Sequence, residues 1–165
     1  MNTESNKILP VRKFFHALTF HKRLLAKLTD FLVQSFRMEI LHVIVECYPV
    51  AKAGGLGDVV GALPKYLNNL GHIAKVVMPM YRTKYLYNNE WEVVHKGGAN
   101  LGYWWFEYTV IKEATNKQGF DLYLVDIGGL LDREKIYGYD DDTERFMAFQ
   151  IAFVDWLSHW QHMPD

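Results

Sequence analysis

The residues best suited to chemistry lie close together. Lys52 is followed by Gly54, Gly55 and Gly57, and Asp58 comes directly after them. Glycines let backbone N–H groups come close to an anion, and the N-terminus of a following helix adds partial positive charge. Lys52 supplies a full positive charge. Such a set suits a diphosphate, above all one that gains charge as a bond to it breaks. Donors already aimed at that charge lower the barrier more than they stabilise the bound substrate. Two plainer readings stand beside this one. The three glycines can simply make a tight turn, and Asp58 can be an acidic residue that a helix dipole favours in its first turn.

Two familiar phosphate motifs do not fit. Gly55, Gly57 and Gly61 give G-x-G-x-x-x-G, one residue longer than the dinucleotide fingerprint. The second apolar run ends Val76-Val77-Met78-Pro79 without the acid that would hold a ribose, and the next acidic residue is Glu90. The string G-x-x-x-x-G-K-[ST] is absent as well.

The elements around the loop read as an α/β unit. Ile40–Val45 is a β-branched apolar run of the kind found in buried parallel strands. From about Leu56 the pattern is helical, with Val59, Val60, Leu63, Leu67 and Leu70 on one side and Gly71 as a stop. Pro64 inside that helix should bend it or cost stability. Ile73–Met78 is the next strand, so strand, loop, helix and strand form a βαβ unit. Trp91–His95, Gly102–Lys112 and Phe120–Val125 read as further strands, with a turn at Asn116-Lys117-Gln118-Gly119. A helix is expected from about Thr143 to Gln161, with Asp141 and Glu144 at capping-box spacing.

Residues 1–37 differ in character. They hold seven Lys or Arg against two acids, with Phe14, Leu18, Leu25, Leu28 and Phe36 among the apolar residues at mostly helical spacing. This is a basic amphipathic helix, and Met38 marks the seam. A membrane-surface helix, a transit peptide, a docking helix and an upstream extension without a catalytic part all fit. The whole chain of 165 residues has a net charge of −1, which gives no reason to expect nucleic acid. No apolar run reaches the ~20 residues of a membrane helix. The single cysteine, Cys47, fits a reducing compartment and a cytoplasmic location, or a plastid if residues 1–37 are a transit peptide.

Four other groups have a structural reading that outweighs a functional one. His159 and His162 share a helical face, but a metal needs three or four converging ligands, so a surface pair is expected. Tyr103-Trp104-Trp105-Phe106 could stack on sugar rings, but core packing or a domain contact is the readier account. Asp140-Asp141-Asp142 reads as a solvated helix start, and Trp156 and Trp160 as core or as surface that a further part of the protein would cover.

The string Glu46–Lys65, ECYPVAKAGGLGDVVGALPK, resembles the N-terminal signature of glycogen and starch synthases. Val76–Tyr81 and Arg133–Phe146 resemble later segments of the same family. The resemblance covers about residues 38–165. It implies the first part of a Rossmann-like N-terminal domain in a GT-B glycosyltransferase, with the C-terminal GT-B domain absent. It also implies transfer of glucose from ADP-glucose or UDP-glucose to an α-1,4-glucan, with retention and without a metal or other cofactor. By that resemblance Lys52, Gly54, Gly55 and Asp58 lie at the donor diphosphate and Tyr137 near the transferred glucose. Ala53 and Val45 depart from the threonine and serine usual there. A fragment of this kind is expected to be inactive by itself. A non-catalytic glucan- or synthase-binding module and a different sugar-nucleotide enzyme of the same fold remain as alternatives.

Deleting residues 1–37 should leave the fold of the remainder intact. Matched thermal melts of the two chains check this, and a large loss in the shorter one would reject it.

Overall fold

The computed structural model describes residues 22–23, 25–28 and 37–160. Residues 22–23 and 25–28 are helical, and the rest of the amphipathic segment expected over 1–37 lies outside the described residues. By its backbone contacts the chain divides into Met1–Arg37 and Met38–Asp165.

The second unit contains β1 (Glu39–Val43), α1 (Gly55–Asn69), β2 (Ile73–Pro79), the single turn α2 (Lys84–Tyr87), β3 (Trp91–Leu101), β4 (Trp104–Glu113), β5 (Asp121–Asp126) and α3 (Asp142–His159). They build one five-stranded sheet in the order β1-β2-β5-β4-β3. β1, β2 and β5 run parallel, as the βαβ reading requires, whereas β4 is antiparallel to both β5 and β3. The connection from β2 to its parallel neighbour β5 therefore carries a long hairpin that forms the sheet's outer strands. β3 outruns the sequence expectation of Trp91–His95 by six residues, whereas β4 lies close to the expected Gly102–Lys112, starting two residues later and ending one later.

Side-chain alternation along the strands makes two cores. Val76, Met78, Leu122 and Leu124 pack with Cys47, Val50, Val60, Tyr81, Phe120 and Ile136. Val77, Tyr123 and Val125 point the other way, together with Phe106, Tyr108 and Val110, onto Ala148, Phe149, Ala152 and Trp156 of α3. Period-two geometry accounts for this: one strand feeds both faces of the sheet. Of the aromatic run at 103–106, only Phe106 enters the core, while Tyr103, Trp104 and Trp105 are exposed around the hairpin turn.

α1 ends as the sequence suggests. Gly71 sits at φ +90°, and the N–H groups of Gly71 and His72 return to the carbonyls of Asn68 and Leu67. That left-handed residue and its pair of bonds form a Schellman stop. The helix runs unbroken through Pro64, which is buried. The ring lacks an N–H to give Val60, and its packing offsets part of that cost. Asp141 is the N-terminal boundary residue of α3 but makes no side-chain cap; its carboxylate pairs with Arg133 at 2.9 Å. The capping-box expectation therefore fails, because a cation in the preceding loop takes the carboxylate.

Trp156 is fully buried and packs at a steep tilt against the rings of Tyr123 and Trp160. Trp156→Ala should lower stability by about 3–5 kcal/mol. Urea unfolding measures this, and a loss below about 1 kcal/mol would contradict the placement.

Candidate donor-binding site

Two loops meet beyond the carboxyl ends of the parallel strands, where open α/β sheets place their ligands. One leaves β1 and enters α1; the other follows β5 and reaches α3. Glu46 joins them. Its Oε2 accepts the N–H groups of Ala53 at 2.9 Å and Gly54 at 2.8 Å. Its Oε1 accepts the hydroxyl of Tyr137 at 2.8 Å, across 91 residues of sequence. The sequence reading quoted Glu46 within the signature but gave it no role.

Glu46 is only 4% exposed. Burial by itself raises its pKa. The bonds from Gly54, Ala53 and Tyr137, with the charge of Lys52, outweigh burial and hold the carboxyl below its ordinary value of 4.5. The same contact acts in reverse on its partner: burial and then the Glu46 carboxylate push the Tyr137 phenol up to about 12. Tyr137 is therefore a neutral donor at physiological pH. Cys47, next in sequence, is fully buried, and burial pushes its thiol up to about 12, which leaves it an inert core residue.

The predicted site residues fall together. Lys52 Nζ lies 2.6 Å from Asp58 Oδ2, both groups being substantially exposed. An ion pair of that kind contributes at most about 1 kcal/mol, so an incoming anion can take the lysine at little cost. This gives Asp58 a specific partner, where the sequence left it between a first-turn residue and a ligand. The N–H of Gly54 is already held by Glu46. The N–H groups of Gly55, Leu56 and Gly57 begin α1 and have no carbonyl one turn back to bond. A Cβ placed on Gly54 or Gly55 would meet nothing within 4 Å, so the space above the loop is open. Lys52 and the start of α1 border it, and Tyr137 is tied to the same loop through Glu46.

Arg145 supports the second loop, and sequence analysis missed it because it lies within an otherwise apolar helical face. Its side chain is 0% exposed. Nε donates to the carbonyl of Leu130 at 2.9 Å, and Nη1 to Ile136 at 3.3 Å and to Asp142 Oδ1 at 2.6 Å. Asp142 Oδ2 in turn accepts the N–H of Gly138 at 2.7 Å. The loop carrying Tyr137 is thus held from within by one guanidinium.

The catalytic-domain model of starch synthases matches residues 39–165. The chain belongs to the starch synthase catalytic-domain family. It is 51% identical over 128 residues to a glycogen synthase of Flavobacterium johnsoniae, covering 78% of this chain and 27% of that protein. It is 38% identical over 133 residues to a glycogen synthase of a Hydrogenobaculum species, with the same coverage. Its fold is similar to the catalytic domain of starch synthase IV from Arabidopsis thaliana bound to ADP and acarbose, with a TM-score of 0.68 and 25% identity over 78% of this chain and 27% of that one. The five-stranded α/β unit is therefore part of a GT-B glycosyltransferase catalytic domain. The chain spans about a quarter of the length of these relatives. Among the described residues no helix is long and apolar enough to cross a membrane.

Glu46→Gln should cost on the order of 2 kcal/mol at pH 7, the usual worth of hydrogen bonds to a charged group. Because folding lowers this pKa, the carboxylate stabilises the fold above 4.5 and loses that effect as pH falls through its folded value. The gap between the wild type and Glu46→Gln should therefore close below pH 4.5 in denaturant titrations. A gap that stayed constant down to about pH 3 would remove Glu46 as the charged acceptor.

Proposed function

We propose that residues 38–165 form the donor-diphosphate side of a glucosyltransferase cleft. The reaction is transfer of glucose from ADP-glucose or UDP-glucose to the non-reducing end of an α-1,4-glucan, with retention. The observation that carries this reading is the placement of Lys52 at the open N-terminus of α1, with Tyr137 held opposite by Glu46. As the glycosidic bond breaks, charge collects on the departing diphosphate. Lys52 leaves Asp58 to pair with it, and the N–H groups of Gly55, Leu56 and Gly57 meet its oxygens. Gly54 acts indirectly: its N–H anchors the loop on Glu46, and its missing side chain keeps the approach open. Tyr137 stands where the transferred sugar would lie. The similarity to glycogen synthases, and the ADP bound to the Arabidopsis neighbour, support the choice of donor and product class. Residues 38–165 supply one wall of the cleft, so the fragment by itself is inactive in this reading.

A second reading, a non-catalytic module that docks on glucan, draws on the exposed Tyr103 and Trp105 at the hairpin turn.

A chimera tests the first reading. Residues 39–165 replace the matching segment of the Flavobacterium johnsoniae glycogen synthase, and glucose incorporation from ADP-glucose is measured. The chimera should be active, and Lys52→Ala should lower kcat/KM by about 10²- to 10³-fold, the usual loss of one electrostatic donor. Undiminished turnover with Lys52→Ala would reject it. An inert chimera, with the 165-residue chain retained on amylose, would favour the glucan-docking module.

A further inference from the structure

On the face of the sheet that carries α3, a second polar cluster lies apart from the donor loop. His95 of β3 and Asp155 and His159 of α3 each turn one ligand atom inward, and these atoms lie within 4.8 Å of one another. The two imidazole rings are 5.3 Å apart between centroids and inclined by 37°. The sequence reading paired His159 with His162, which lies outside the described residues. The partners that the fold supplies are Asp155, one helical turn back, and His95, from a distant strand.

A β-bulge brings His95 there. Pairing between β3 and β4 shifts between Val93 and His95, so Val93 faces Ile111 and His95 faces Val110. Strict alternation from Trp91 and Val93 would send His95 to the opposite face. The extra residue turns it onto the face of Tyr108 and Val110, which packs against α3.

The surroundings orient the three groups. His159 Nδ1 lies 2.8 Å from the carbonyl of Asp155, and an N–H donated there leaves the lone pair on Nε2. The Tyr108 hydroxyl donates to Asp155 Oδ2 at 2.5 Å and lies 3.2 Å from His95 Nε2. Gly97 makes room for that tyrosine, since a Cβ there would sit 2.5 Å from its hydroxyl oxygen. An imidazole bonded to a backbone carbonyl and a carboxylate held by a phenol are the outer contacts common around metal ligands.

We propose that His95, Asp155 and His159 form a binding site for a late first-row divalent cation, Zn²⁺ by the nitrogen-and-oxygen donor set. The bound cation would pin the β3–β4 hairpin to the last turn of α3. Zn²⁺ holds its ligands at ~2.0–2.2 Å in a tetrahedron, so the donor atoms must draw in to roughly 3.5 Å. His159 is exposed and sits at the helix end, where that adjustment is cheap. Solvent completes the shell.

The test uses the 165-residue chain, stripped with chelator and titrated with Zn²⁺ by calorimetry and thermal melting. One equivalent should bind at micromolar or lower Kd, with a melting point raised by several degrees at saturation. His95→Ala and His159→Ala should each weaken binding at least about 100-fold and abolish the rise. Tyr108→Phe should weaken it about 10- to 100-fold, as for other outer contacts. His162→Ala should change nothing. His159→Ala alters an exposed side chain, so it keeps the result readable if His95→Ala disturbs the core. Zn²⁺ affinity that survives both His95→Ala and His159→Ala would place the cation on other surface imidazoles and overturn the proposal. So would a loss on His162→Ala with His95→Ala unaffected.

Discussion

A single buried carboxylate joins the two loops at the carboxyl ends of the parallel strands. Glu46 must accept hydrogen bonds to remain charged where it sits, and its donors come from two places, two N–H groups before α1 and one phenol from the loop after β5, with the charge of Lys52 nearby. Burying an ionised group without such partners costs several kcal/mol, so the donors and the acceptor specify one another. The entry to α1 and the loop bearing Tyr137 are thereby held in one arrangement. Lys52 stays on the exposed side of it, in an ion pair weak enough to exchange.

Behind that junction the two cores perform different tasks. The face with Val60, Val76, Met78 and Leu124 seats α1 and the glycine loop. The opposite face seats α3 through Ala148, Ala152 and Trp156, small residues beside one large ring. α3 also carries Arg145 in its first turn, whose guanidinium ties the loop carrying Tyr137. The same helix thus closes a core along its length and braces the site at its first turn. At its last turn it meets the hairpin that lengthens the sheet beyond its parallel strands.

Much of this was legible in the chain. The helical spacing after the loop, Gly71 at a left-handed stop and the Asn116–Gly119 turn each follow from local geometry and lie where they were expected, while the β-branched run forms a parallel strand over Glu39–Val43 that sits at the sheet edge rather than buried. Lys52, Gly54, Gly55 and Asp58 could be nominated because they are neighbours in sequence, and Tyr137 through the family resemblance. β3 was underestimated because glycines at 97 and 98 interrupt the apolar pattern. Both glycines admit rings, those of Tyr108 and Trp105, instead of ending a strand.

The sequence alone determined the local periods, the turns and the family to which residues 39–165 belong. These depend on residues a few positions apart, or on a contiguous signature. Only the tertiary structure decided that Glu46 meets Tyr137 across 91 residues, that Asp141 serves Arg133 rather than a cap, and that a bulge delivers His95 to Asp155 and His159. The physical reason is common to all three. A polar group's partner is chosen by which donors and acceptors the packed sheet brings within hydrogen-bond reach, and sheet order and bulge register have no local signature in the chain.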